Sequence, residues 1–199
     1  MKKATVLMLA VMLVFGVAGL ASAGIYTAQP TDPNLQSMGD GRYYTWEIDE
    51  WVGAEAIPQE ETIVSATLIF HDMWNNYPNE LYLNLLDTTT DGWGYDTPYT
   101  ANEFGDEGLL NHWHNLPSYV TRDLVYEFDA VELGMLEGYY ASGSDFGFGI
   151  DPDCHFTNSG VTFTVHTAGA PVPEPATMIL FGSGLLGLAG VGRRQVKKQ

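Results

Sequence analysis

Apolar side chains return at every second position in a series of short runs between residues 42 and 165, and that period restricts most of the middle of the chain to strands. Tyr44, Trp46 and Ile48 fall on one face of residues 42–48. The β-branched stretch 62–70 alternates, Leu81, Leu83 and Leu85 share a side, and residues 124–128 follow the same rule. Phe146, Phe148 and Ile150, then Val161, Phe163 and Val165, complete the series. Clusters of Gly, Pro, Asn and Asp at 75–79, 91–92, 105–106 and 158–160 punctuate the runs, as turns between strands require. One segment has a helical period instead. Asp129 with Glu132 three residues on makes a capping-box pattern, and Leu133, Leu136 and Tyr140 follow at helical spacing. Gly134 and Gly138 keep that helix short. With 199 residues, room for one ordinary domain, these elements predict an all-β fold: an antiparallel β-sandwich, jelly-roll or immunoglobulin-like, with one short helix. Residues 87–117 are too long for a plain connection and rich in aromatic side chains, so they are expected to form a functional or mobile loop.

Both ends of the chain have a different character. Lys2 and Lys3, the uncharged run 4–20 and Ala21-Ser22-Ala23 have the order of a secretory signal peptide, with cleavage expected after Ala23. Residues 24–167 then form the predicted ectodomain, and 168–199 a Pro-containing linker and a targeting tail, with a terminal helix expected at each end of the chain. Separating the ends sharpens the charge. Of the eight basic residues, six (Lys2, Lys3, Arg193, Arg194, Lys197, Lys198) lie in the terminal segments, leaving Arg42 and Arg122. Of the 25 acidic residues only Glu174 lies outside 24–172, so that stretch carries a formal charge of −22 and no lysine. Such a surface excludes nucleic-acid binding, because phosphates are held by Arg and Lys that displace counterions. Neutral glycans, cationic partners and divalent metal ions remain open, beside a plain solubilising role. Cys154 is the lone cysteine, so no intramolecular disulfide can form, and burial among apolar neighbours is its commonest fate.

The tail carries the most specific pattern. Residues 176–192 are uncharged and, as a helix, would span about 26 Å, slightly less than the ~30 Å hydrocarbon core. Arg193, Arg194, Lys197 and Lys198 follow as a stop-transfer cluster held on the cytoplasmic side. Before the apolar run stand Val172-Pro173-Glu174-Pro175-Ala176-Thr177-Met178, and within it come Phe181-Gly182-Ser183-Gly184-Leu185-Leu186-Gly187. This order closely resembles the PEP-CTERM sorting signal. The resemblance implies export in a Gram-negative bacterium, transient insertion in the inner membrane through 176–192, and recognition at Pro173, Glu174 and Pro175 by an exosortase. It also implies release to the cell surface or to an exopolysaccharide, biofilm or floc matrix, as a structural or interaction component.

Other candidates are weighed on their residues. Gly149-Ile150-Asp151-Pro152-Asp153-Cys154-His155 followed by Asn158-Ser159-Gly160 resembles a segment that recurs in proteins with this tail. Read alone it is two turns, or a calcium site in which Asp151, Asp153 and Asn158 supply hard oxygen donors. Asp87-Thr88-Thr89-Thr90-Asp91-Gly92 opens like a calcium loop through Asp87 and Asp91, but Pro98 stands where the closing Glu belongs. His112 and His114 would share a face if extended, a two-ligand pattern that reads more simply as a polar loop. Trp74, Trp93, Tyr95 and Trp113 lie in or beside expected loops, where their rings suit the apolar faces of a neutral polysaccharide. Nothing singles out a facing carboxylate pair, a nucleophile elbow or a phosphate loop. The chain is therefore expected not to be an enzyme, with a carbohydrate-binding module, calcium-assisted, as the alternative and a glycan-active enzyme as a third reading.

Overall fold

The computed structural model describes residues 23–49, 57–58, 61–96 and 102–169. The predicted signal peptide, sorting motif, membrane span and basic end lie outside these residues. Ala23–Gly169 forms one compact unit. Its strands are β1 (Ile25–Ala28), β2 (Ser37–Met38), β3 (Arg42–Ile48), β4 (Glu61–Asn75), β5 (Asn79–Leu86), β6 (Gly92–Tyr95), β7 (Leu109–Leu116), β8 (Arg122–Glu127), β9 (Phe146–Pro152), β10 (Phe156–Thr157) and β11 (Gly160–Gly169). A single α-helix, α1 (Ala130–Ser142), follows β8.

The strands make two antiparallel sheets. In the first, β1 pairs β11 and β11 pairs β4, which also takes β8 on its other edge and β10, then β2, near its end. The second runs β6-β3-β9-β5-β7. The predicted all-β sandwich is the fold found. Alternation placed its core correctly: Tyr44, Trp46, Ile48, Leu68, Phe70, Phe148, Ile150, Phe163 and Val165 are all buried. Phe148 sits at the centre, with ring centroids 4.9 Å from Phe163, 5.7 Å from Trp46 and 6.2 Å from both Phe128 and Phe146. Each large side chain taken out of water there stabilises the fold by ~1.5–3 kcal/mol.

Helix α1 begins as its residues specify. The Asp129 carboxylate accepts from the N–H groups of Val131 (2.8 Å) and Glu132 (2.9 Å), and Glu132 accepts from the Asp129 N–H at 2.7 Å. The helix ends at Gly143 in the left-handed conformation (φ 65°), where a side chain would be strained. Leu136 is buried against the core.

One expectation fails over residues 87–117. They contain β6 and β7, so the stretch is two edge strands joined by connections and not one long loop. Both strands were hidden by composition. Gly-Trp-Gly-Tyr alternates over only four residues with its two rings exposed, and β7 is only partly buried along most of its length. His112 and His114 accordingly lie on a strand, not in a polar loop. No helix among the described residues is long and apolar enough to cross a membrane.

Candidate functional site

Strand alternation turns Phe146, Phe148 and Ile150 of β9 inward and leaves Gly147, Gly149 and Asp151 on the other face. The glycines create a hollow there. The ring of Phe104 lies 2.7 Å from where a Gly149 Cβ would stand, and Thr89 together with the Trp46 carbonyl occupies the corresponding place at Gly147. Gly94 gives the same room to the Tyr43 ring, which meets Phe104 edge-on at 5.4 Å. Segments on both sides of β6 therefore fold back across the second sheet. Polar groups fasten them: buried Asn84 donates to the carbonyls of Gly105 (3.0 Å) and Glu107 (3.3 Å), and the Glu47 N–H donates to Asp91 Oδ1 at 2.7 Å.

Asp151 is the buried acid of this face, 2% exposed. Its Oδ2 accepts from the Glu103 N–H at 2.7 Å. Burial pushes its carboxyl up to about 7; the Glu103 N–H opposes this, while the charges of Asp96, Glu103 and Asp153 add to it. Asp96 beside it is also pushed up, mainly by burial.

At the edge of the sheet, the loop 88–91 and strands β3 and β6 border an open cleft of about 530 Å³. Tyr43, Thr45, Thr88, Thr89, Thr90 and Trp93 line it; Trp93 pairs with Tyr44 and so turns its ring to the sheet face opposite Tyr43 and Thr45, at the edge of the cleft. Trp93 is 43% exposed and meets Tyr95 edge-on at 5.3 Å. The Arg42 guanidinium lies 4.5 Å over Trp93 and 5.5 Å over Tyr95, a cation–π arrangement that holds the rings in place. Rings fixed at an exposed edge near threonine hydroxyls, of which Thr45 and Thr89 already donate to the Thr90 carbonyl, suit a neutral, ring-shaped, polyhydroxylated ligand.

The remaining candidates are scattered. Trp113, expected in a loop, turns toward the core and packs edge-on against Phe70 (6.1 Å) and Tyr126 (6.4 Å). Trp74 closes the end of β4 and meets exposed Tyr119 at 6.2 Å. Tyr119 itself has φ 61°, uncommon for a bulky residue. Asn158 is spent on its turn: its amide donates to the Leu35 carbonyl (2.6 Å) and accepts from the Gly160 N–H (2.9 Å). The Asp153 N–H bonds the Glu80 carbonyl at 3.1 Å, and Cys154 is half-buried and lies outside the core. Asp87 accepts from the Tyr139 hydroxyl. Among the described residues no group of three or more His, Cys, Asp or Glu is arranged to hold a metal ion. His112 does find a partner that spacing could not show. Its ring stacks on Tyr82 at 4.0 Å, and its Nε2 bonds Glu80 Oε2 at 2.9 Å, which holds the Glu80 carboxyl below its ordinary value.

Fold and surface thus define an acidic two-sheet β-domain with one glycine-floored, loop-covered face. The tail says how it is handled. Residues 171–194 match the family described as the PEP-CTERM protein-sorting motif, so the chain carries the mark of an exported protein that transits the membrane and is sorted by an exosortase. Pro173, Glu174 and Pro175 fall inside that match. No curated protein matches the chain.

Proposed function

We propose that the chain is a non-enzymatic structural or interaction component which, once its tail is processed, resides at the cell surface or in an extracellular polysaccharide matrix. The observation that carries this reading is the sorting motif at 171–194 joined to a domain in which Asp151, the most buried acid among the described residues, is held by a backbone N–H under a covering connection. Asp151 accepts from the Glu103 N–H and, although Asp96, Glu103 and Asp153 stand near enough to raise its pKa, it is buried and does not line an open cleft. A pair flanking an open space is what glycoside hydrolysis requires. The test is fractionation of cells with and without the motif Pro173-Glu174-Pro175. The proposal expects the wild-type domain in the matrix and the variant retained in the membrane; equal distribution would overturn it.

A second reading is favoured by the cleft at Trp93: binding of a neutral polysaccharide. The exposed rings, the surrounding threonine hydroxyls and a surface charge that repels polyanions support it. Affinity electrophoresis in neutral polysaccharides separates the two readings. Retardation that disappears in Trp93→Ala supports binding at the cleft, and unaltered mobility in every neutral polymer leaves the structural role alone.

A further inference from the structure

A groove of about 810 Å³ runs between α1 and the ends of β5 and β7, adjoining the cleft at Trp93 through Thr88. Its apolar surface comes from Leu86, Leu109 and Leu110 on the sheet side and from Val131 and Met135 on the helix. The two helix residues stand one turn apart, so they lie on one face. They are 68% and 50% exposed, among the most open apolar side chains of the domain. Nothing in the described structure covers them. Gly134 and Gly138 flank the same face with open space where a Cβ would stand, so packing within the domain does not require these two helix-weakening residues. An approaching backbone would meet no side chain there.

The rim has one sign of charge. Asp87, Asp106, Glu107, Asp129 and Glu132 all border the groove, and among the described residues no Lys, Arg or His does. Three of these carboxylates are engaged locally, Asp87 by Tyr139 and Asp129 with Glu132 in the helix cap. Asp106 and Glu107 are exposed at the tip of the connection into β7 and have no side-chain partner among the described residues. An apolar floor with an unneutralised acidic rim fits a ligand of opposite pattern, and low-dielectric walls strengthen the field at such a groove.

We infer that this groove docks a cationic amphipathic segment of a partner protein. Its apolar side chains seat against Val131, Met135 and Leu110, and its Lys or Arg side chains face Asp106 and Glu107. This is the helix-in-groove mode of peptide recognition, in which apolar anchors supply affinity and rim charges supply orientation and rate. The inference does not depend on glycan binding at Trp93.

The test is fluorescence anisotropy of a labelled leucine/lysine amphipathic helix peptide with the full-length chain in zwitterionic detergent. The set includes Met135→Glu, the double variant Asp106→Asn/Glu107→Gln, and a lysine homopolymer of equal charge. Wild type should bind the amphipathic peptide at least about tenfold more tightly than Met135→Glu, which adds a charge to an exposed position and should leave Tm unchanged. The Asp/Glu double variant should lose several-fold in affinity and much of the salt dependence seen between about 50 and about 500 mM. Equal binding by wild type and Met135→Glu would overturn the inference. So would homopolymer binding as tight as that of the amphipathic peptide, which marks non-specific attraction to the acidic surface. Loss of self-association on Met135→Glu, without loss of peptide binding, would assign the groove to a second copy instead and likewise overturn it.

Discussion

Asp151→Asn should flatten part of the pH dependence of stability. The Asp151 carboxyl moves from an ordinary value of 3.8 to about 7 on folding, chiefly because burial penalises its charged form. Between these values the native state holds a proton that the unfolded chain has released, so stability falls as pH rises and levels off above about 7. From pH 5 to pH 8 the expected loss from this one group is about 2.5 kcal/mol. Asn keeps an acceptor for the Glu103 N–H, now at 2.7 Å, and has no charge to bury. The variant should therefore gain on wild type progressively as pH rises, by about 2.5 kcal/mol over that interval, a Tm difference of about 5–10 °C for a domain of this size. Urea unfolding of both proteins at pH 5, 6, 7 and 8 reads the difference directly. Comparing the two removes the background from the other acidic residues, whose mutual repulsion also grows with pH. Parallel stability curves for wild type and Asn variant would refute the reasoning, since they would mean that Asp151 titrates alike in the folded and unfolded chain.

Gly147→Ala should be far less tolerated than Gly134→Ala. A methyl at 147 meets Thr89 and the backbone carbonyl of Trp46, whereas one at 134 meets nothing. Urea midpoints should show a loss of about 1–3 kcal/mol for the first and a gain of a few tenths up to about 1 kcal/mol for the second. Asp129→Ala removes the acceptor for two helix N–H groups and should cost about 1 kcal/mol in the same assay. Trp93→Ala should leave the unfolding midpoint within about 0.5 kcal/mol of wild type while abolishing retardation in neutral polysaccharide.

What the residues disclosed in advance followed local rules. Period-two alternation marked β3, β4, β5, β9 and β11 because each has one face on the core, and the Asp129–Glu132 pair marked the helix start because capping is a three-residue matter. The tail was readable because a receptor reads it as a linear string. β6 and β7 were not readable: β6 offers only two exposed rings between glycines, and β7, an edge strand partly open to solvent, does not alternate. The role of Gly147 and Gly149 was hidden for a different reason. Their vacancy is filled by Thr89 and Phe104, tens of residues away in sequence, and no local pattern records that a connection will fold back over a sheet. The same fold-back buries Asp151, which spacing alone offered as a metal ligand or a turn residue. The pairing of His112 with Glu80 likewise depends on register between β5 and β7.

The sharpest test of how the chain is handled is mass spectrometry of the protein recovered from the cell surface and matrix. The expected species begins at Gly24 and ends within or just before Pro173-Glu174-Pro175, without residues 176–199. Recovery of the chain only from the inner membrane, with its C-terminal residues intact, would contradict processing by an exosortase and, with it, the proposed role outside the cell.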